Sequence, residues 1–321
     1  MSAPDTTVAT LPASTPDTVA EPLPASTPKR KFVAVGRSKM LLVFAIPALV
    51  FYGFAVVAPS LRGAVLAFTN WDGLSQSYDF VGIDNFVRIF TTQSSLDALK
   101  MTLIFALAVT VLQNLIGLLL ALGVNSGLKS QNFLRVLFFA PVVITPVVVA
   151  YLWKFLLAPD GAVNALLGGV GLGESAPSWL GDPFWASVSV IGMIVWQHAG
   201  YSMVIYLAGL QSIPQEVNEA AAIDGAGAWQ RFWYVTRPLL GPALAINIML
   251  TIIGGLKMFT EVFVLTAGGP GGSTETLSTL LYKSAFQFNE FGYGISMALV
   301  LAVVVAIFSV GQQRLSRKAN S

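Results

Sequence analysis

Residues 101–124 read MTLIFALAVTVLQNLIGLLLALGV, without one charged side chain. A bilayer core about 30 Å thick is crossed by about 20 helical residues at 1.5 Å each, so this stretch is long enough to span. Five further runs of the same kind flank it, from about Met40 to Ala58, Leu134 to Leu157, Trp185 to Leu210, Pro238 to Leu265 and Tyr293 to Val310. Pro47 lies in the first of these, and Pro141 and Pro146 lie in the run from Leu134. Proline is tolerated in membrane helices where neighbours or local adjustment satisfy the freed carbonyl. The expectation is an all-α membrane protein, a polytopic bundle of about six transmembrane helices.

Composition agrees. Hydrophobic residues make up 55% of the 321 and charged residues only 11%, with a mean hydropathy of +0.71; an ordinary soluble domain carries roughly 25% charge. Such a chain has too little charge and too much apolar surface to be disordered, and with no cysteine it is no disulfide scaffold. A net charge of +2 gives no ground for a nucleic-acid partner. The distribution of basic residues says more. With the N-terminus inside, Lys29, Arg30, Lys31, Arg37, Lys39, Lys129, Arg135, Arg231, Arg237, Arg314, Arg317 and Lys318 fall on one side, 12 of the 18. Positive charge gathers on the cytoplasmic side, so both termini are expected there.

Residues 1 to 37 are expected to be a disordered, Pro/Ala/Ser/Thr-rich cytoplasmic tail ending in a basic cluster, with Leu-Pro-Ala-Ser-Thr-Pro at 11–16 and again at 23–28. Residues 38 to 315 form the expected membrane domain, and 316 to 321 a second short tail. The tail is not expected to be a cleaved signal peptide, because its basic cluster precedes a run long enough to span.

Chemistry is mostly absent. The fragment Gly123-Val-Asn-Ser-Gly127-Leu-Lys129-Ser130 lacks the Gly-Lys pair of a Walker A loop, and Gly169-Val-Gly171-Leu-Gly173 has no strand before it to make a dinucleotide loop. His198 is the sole histidine, so no histidine metal cluster forms. No cofactor is expected in this chain, and no catalytic activity.

The informative segment is the loop from Gln211 to Arg237. Ser212-Ile-Pro-Gln215 has the spacing of a capping box, which starts a helix just past the span. That helix runs on through Glu219, Ala220, Ala221 and Asp224 to Gly225, where a left-handed conformation ends it. A helix so short is unstable alone and needs a partner, unless the loop is merely a polar connector.

Glu219-Ala220-Ala221, then Gly225, then Pro238 before the next span, resembles the EAA loop of the permease subunit in bacterial binding-protein-dependent ABC importers. Phe80-Val-Gly-Ile-Asp-Asn-Phe86, Phe133-Leu-Arg-Val-Leu-Phe-Phe139 and Leu265-Thr-Ala-Gly-Gly-Pro-Gly271 resemble the carbohydrate-uptake, maltose-transporter-like branch of that family. Arg237 departs from the usual leucine before Pro238. The resemblance implies an inner-membrane, multi-pass subunit that forms half of a sugar path. It implies that Glu219, Ala220, Ala221, Asp224, Gly225 and Pro238 contact a separate ATPase. It further implies a second homologous permease, a cytoplasmic ATPase dimer, an extracytoplasmic sugar-binding protein and a sugar substrate.

Polar residues within spans are costly in lipid and mark candidate paths. Gln113, Asn114, Gln197, His198, Tyr201 and Asn247 are the substrate-path candidates, the alternative for each being hydrogen bonding between helices. Lys257 and Glu261 are expected to form a snorkelling ion pair, the alternative being a proton relay. Gly268, Gly269, Pro270 and Gly271 are the outer-loop candidates, expected to form either a flexible loop that touches the binding protein or the cavity, or an ordinary turn. A secondary transporter or facilitator for a small polar solute is the alternative function. It calls for paired intramembrane ionisable groups or internal repeats, and neither is present in the sequence.

Overall fold

The computed structural model describes residues 37–126 and 129–319. The expected N-terminal tail lies outside these residues except for Arg37. Among the described residues the chain is helical, apart from loops and an isolated antiparallel bridge between Thr69 and Phe80. Two units are distinguished, residues 1–55 and 56–321. The first contributes α1 (Arg37–Tyr52), with Pro47 inside it.

The second unit holds the rest. Its helices are α2 (Ala58–Leu66), α3 (Asp84–Thr91), α4 (Gln93–Val124), α5 (Gln131–Val143), α6 (Pro146–Leu156), α7 (Ala162–Gly169) and α8 (Pro183–Gln211). There follow α9 (Gln215–Ile223), α10 (Ala228–Arg231), α11 (Arg237–Leu239), α12 (Gly241–Leu256), α13 (Thr260–Leu265), α14 (Leu277–Phe286) and α15 (Phe291–Ala319). Among the described residues four apolar helical stretches are long enough to cross a membrane alone, namely Ala45–Leu66, Gln93–Val124, Pro183–Gln211 and Phe291–Arg314. Two bent pairs bring the number to six if each is one span.

The bends revise two expected spans. The run from Leu134 to Leu157 is broken between α5 and α6 by 97°. Pro146 disfavours helical backbone at the residue before it, and Ile144 and Thr145 are both extended. In the run from Pro238 to Leu265, the helical segment Ala228–Leu239 meets α12 at 69°. The run breaks again after α12, so Lys257 ends one helix while Glu261 opens another. They do not pair. The ion pairs among the described residues are Arg88–Glu290, at 3.0 Å, and Lys283–Glu275. At the far end α15 continues unbroken to Ala319, past the expected end of the last span near Val310.

The long helices α4 and α8 pack along each other and form the spine. α5 lies against α8, while α12 contacts α4, α8 and α15. Small residues allow these approaches, as is usual between membrane helices. A Cβ at Gly200 on α8 would strike the Phe138 carbonyl on α5, and one at Gly255 on α12 would come within 2.8 Å of the Ala106 backbone on α4. Asp182 caps α8, its carboxylate accepting from Phe184 N at 2.9 Å and Trp185 N at 3.0 Å. Away from the spine, Leu107, Val111, Leu115 and Leu119 form an exposed i, i+4 stripe on α4, an apolar face suited to lipid.

Candidate functional site: a polar cavity and an exposed helical loop

Three helices carry the buried polar groups. On α4, Asn114 donates to Thr110 O at 2.7 Å and to Thr251 Oγ1 on α12 at 2.9 Å. Its Oδ1 accepts from Asn247 Nδ2 on α12 at 2.9 Å and from the Tyr206 hydroxyl on α8. One residue earlier, Gln113 donates to Ser202 Oγ at 2.9 Å and to His198 O at 3.3 Å, both on α8. Thr251 returns its hydroxyl proton to Asn247 O at 2.9 Å. Burying amides without partners is costly, so this network both satisfies the groups and fixes how α4, α8 and α12 meet.

Beside the network lies a cavity of about 170 Å³ whose wall is mostly apolar, with Val109, Ile194, Leu250 and Met258, and is interrupted by the polar side chains of Gln113, His198, Tyr201, Thr251 and Glu261. His198 and Tyr201 are three apart on α8 and share a face. Gln197 is turned away by one residue, about 100° around the helix. Its amide instead donates to Ile144 O at 3.0 Å, a carbonyl left free by the break between α5 and α6.

The sequence candidates therefore separate into three groups. Gln113, His198 and Tyr201 reach the cavity. Asn114 and Asn247 form the buried brace behind it, and Gln197 serves the helix break. Thr251, Ser202 and Tyr206 are not among the sequence candidates, because hydroxyls are common in membrane helices and Ser and Thr can bond within their own helix, so they stand out little from the sequence. Thr251 stands four residues after Asn247, the spacing that places it on the same face. Glu261 enters as a cavity wall once its supposed partner Lys257 is removed.

The loop of Gly268, Gly269, Pro270 and Gly271 is tied rather than loose. Lys283 Nζ donates to Ala267 O at 2.9 Å and pairs with Glu275, while Thr274 Oγ1 donates to Gly269 O at 2.8 Å. Gly268 has φ +84°, and a Cβ there would meet the Glu275 carboxylate.

At the far end of α8, Ser212 is the last helical cap and not the first. Its hydroxyl donates to Gly209 O at 2.7 Å, Pro214 precedes α9, and the Gln215 amide donates forward to Glu219 Oε1 at 2.8 Å. The expected capping box is therefore not formed. The stop is as expected, since Gly225 has φ +78° and Ala226 N donates to Ala221 O at 3.0 Å. No residue of α9 is buried. Ile223 is 86% exposed, and Glu219, Ala220, Asp224, Gly225 and Pro238 are exposed with it, while Ala221 is half-buried. Arg237 stacks its guanidinium 4.9 Å over the Trp233 ring, which accounts for the side chain that departs from the motif.

A family model described as the inner membrane component of binding-protein-dependent transport systems matches residues 113–321. The chain belongs to this family. The permease is 36% identical over 278 residues to the multiple sugar-binding transport system permease protein MsmF of Streptococcus mutans, a match covering 87% of this chain and 94% of that protein. It is 35% identical over 271 residues to the lactose transport system permease protein LacF of Rhizobium radiobacter, covering 83% and 90%. A solved bacterial ABC transporter involved in the import of the acidic polysaccharide alginate superposes with TM-score 0.78 at 25% identity, covering 88% of the permease and 96% of that chain. The permease is a membrane transport subunit of an ABC importer, in which ATP hydrolysis belongs to a separate subunit.

Proposed function

We propose that this chain is one of two permease subunits of an ATP-driven sugar importer of the bacterial inner membrane, and that α9 couples it to a cytoplasmic ATPase dimer. The second permease is a homologous chain, an extracytoplasmic binding protein delivers the sugar, and no cofactor is assigned to this subunit. The cavity between α4, α8 and α12 is its share of the solute path. The names of MsmF and LacF favour a sugar, and so does a largely apolar wall that carries a few amide, hydroxyl and aromatic groups, since a sugar has both C–H faces and hydroxyls. The observation that carries the coupling reading is α9 itself. It is a helix of nine residues with no buried side chain, stopped by a left-handed glycine, with Ile223 standing in the open. Such a helix lacks the packing that would hold it alone, and a receiving cleft supplies it.

The test is co-purification and ATPase assay of the assembled importer. Glu219→Lys reverses a charge on the exposed face, and Gly225→Val forces a β-branched residue into positive φ. Both are expected to insert normally, yet to weaken ATPase retention or abolish substrate-stimulated hydrolysis, while Glu216→Lys does less. If both variants transport and hydrolyse ATP like the parent, α9 is a connector and the coupling reading is wrong. The cavity is tested separately by Gly254→Phe. A Cβ at this exposed wall residue meets nothing within 4 Å, so a side chain starts there without a clash, and a benzyl group is expected to narrow the cavity. Uptake should fall while assembly persists; unchanged uptake would remove the cavity from the path.

A further inference from the structure

The hydrogen bonds behind the cavity decide what its wall can offer a ligand. Gln113 spends its amide nitrogen on Ser202 Oγ and on the His198 carbonyl. A carbonyl accepts only from a donor, so the amide orientation is settled, and the polar atom left over is the acceptor Oε1. His198 Nδ1 lies 3.1 Å from Ile194 O, again a carbonyl, so Nδ1 carries the proton. In the neutral ring Nε2 is then an acceptor. Thr251 gives its proton to Asn247 O and takes one from Asn114, which leaves one lone pair. Glu261 adds a carboxylate. Of the polar wall groups the Tyr201 hydroxyl alone is free to donate, and no lysine or arginine stands in the wall among the described residues. Lys257 is exposed and lies outside it.

We propose that this cavity is a subsite for a sugar ring, its apolar wall meeting the ring's C–H faces and its few polar groups, mostly acceptors, taking hydrogen bonds from a neutral or ammonium-bearing sugar, and that Glu261 excludes sugars carrying a carboxylate. The assignment rests on the reading of the cavity as part of the solute path. Hydroxyls adapt to these acceptors because each brings its own proton. An ammonium group is better matched, having three donors and the opposite charge to Glu261. A uronate brings acceptors to acceptors and a negative charge to a negative charge, and like charges brought together at a binding site discriminate strongly against the wrong ligand. Glu261 is thus a specificity-determining residue of the permease itself, acting independently of whatever selection the binding protein makes upstream.

The experiment uses the membrane complex with its ATPase, in nanodiscs and free of binding protein. Equilibrium binding is measured for three radiolabelled probes of equal length, namely cellobiose, the glucosamine dimer and digalacturonate. The parent should bind the first two at least about tenfold more tightly than the third, about 1.4 kcal/mol of discrimination. Glu261→Gln replaces the charge with an amide of the same shape that can donate. It should bring digalacturonate within about threefold of cellobiose, a remaining difference of about 0.7 kcal/mol. Glu261→Asp should preserve the exclusion. A parent that binds digalacturonate as well as cellobiose overturns the proposal. So does a ratio unchanged by Glu261→Gln, or a parent that binds none of the three. Gly254→Phe separates the two levels. If it abolishes binding while Glu261→Gln leaves the ratio alone, only the selectivity assignment fails; if binding survives it, the solute-path reading fails as well.

Discussion

Asn114 is the hub of the buried network, and its replacement by alanine measures what that network contributes. The side chain makes four hydrogen bonds, of which the one to Thr110 O stays within α4. The other three cross between helices, to Thr251 and from Asn247 on α12, and from Tyr206 on α8. Hydrogen bonds between membrane helices contribute on average about 0.6 kcal/mol each, because the unfolded chain in the membrane also finds partners. Three such bonds amount to about 2 kcal/mol, a shift of about thirtyfold in the unfolding equilibrium. Alanine also leaves Asn247 without a side-chain partner, since its Oδ1 already has none. The assay is reversible unfolding of the purified complex in mixed micelles, followed by circular dichroism. Thr110→Val is the control, because the buried Thr110 Oγ1 makes no hydrogen bond and its loss removes no interaction. The control should be at least as stable as the parent, because valine removes a buried hydroxyl that has no partner. If Asn114→Ala is equally silent, or if Thr110→Val costs as much, the network is not what joins these helices.

Gly200→Val should reduce assembly, because its Cβ would fall on the Phe138 carbonyl and overpacking of this kind typically costs about 1–3 kcal/mol. Gly192→Ala, with Trp153 no closer than 4.0 Å, should be tolerated in the same thermal-melt comparison. Lys283→Met leaves the Glu275 carboxylate buried and unpaired and releases Ala267 O, so a loss of about 3–5 kcal/mol is expected in the unfolding assay. Neutralising both residues should recover much of it. Asp72 is a test of pH. Its carboxyl is lowered from 3.8 to about 2, chiefly by the Ser75 hydroxyl and then by the backbone N–H groups of Ser75 and Leu74. A lowered carboxyl stabilises its turn above the unfolded value and loses that contribution as pH falls through the folded one. Trp71, whose indole donates to Ser75 O at 2.9 Å, should therefore hold its fluorescence at higher pH and change between 3.8 and about 2. Asp72→Asn should abolish that acid transition.

Much of this molecule is dictated by local chemistry. A stretch such as 101–124 has no option but a helix in lipid, because every backbone polar group must be satisfied within the segment itself. Gly225 stops α9 for an equally local reason, the ease with which glycine takes positive φ. The extended residue before Pro146 is local in origin too, although Pro141 sits inside α5 without breaking it, so the 97° bend is not dictated by proline alone. Periodicity also decides which residues share a helical face, as with His198 and Tyr201, and that much of the site is legible in the order of residues. It does not decide which face of another helix lies opposite. Gln113 and Asn114 are adjacent and chemically alike, yet one lines the cavity and the other braces α12. The difference lies in the neighbours each meets 85 to 137 residues away along the chain. Tertiary structure alone placed the break between Lys257 and Glu261 that turns the acid toward the cavity. It also brought Lys283 back onto Ala267, tying down a glycine-rich stretch that in isolation has every reason to be loose. Hydrogen bonds and ion pairs act over a few ångströms, so they follow proximity in space, and no local pattern encodes it.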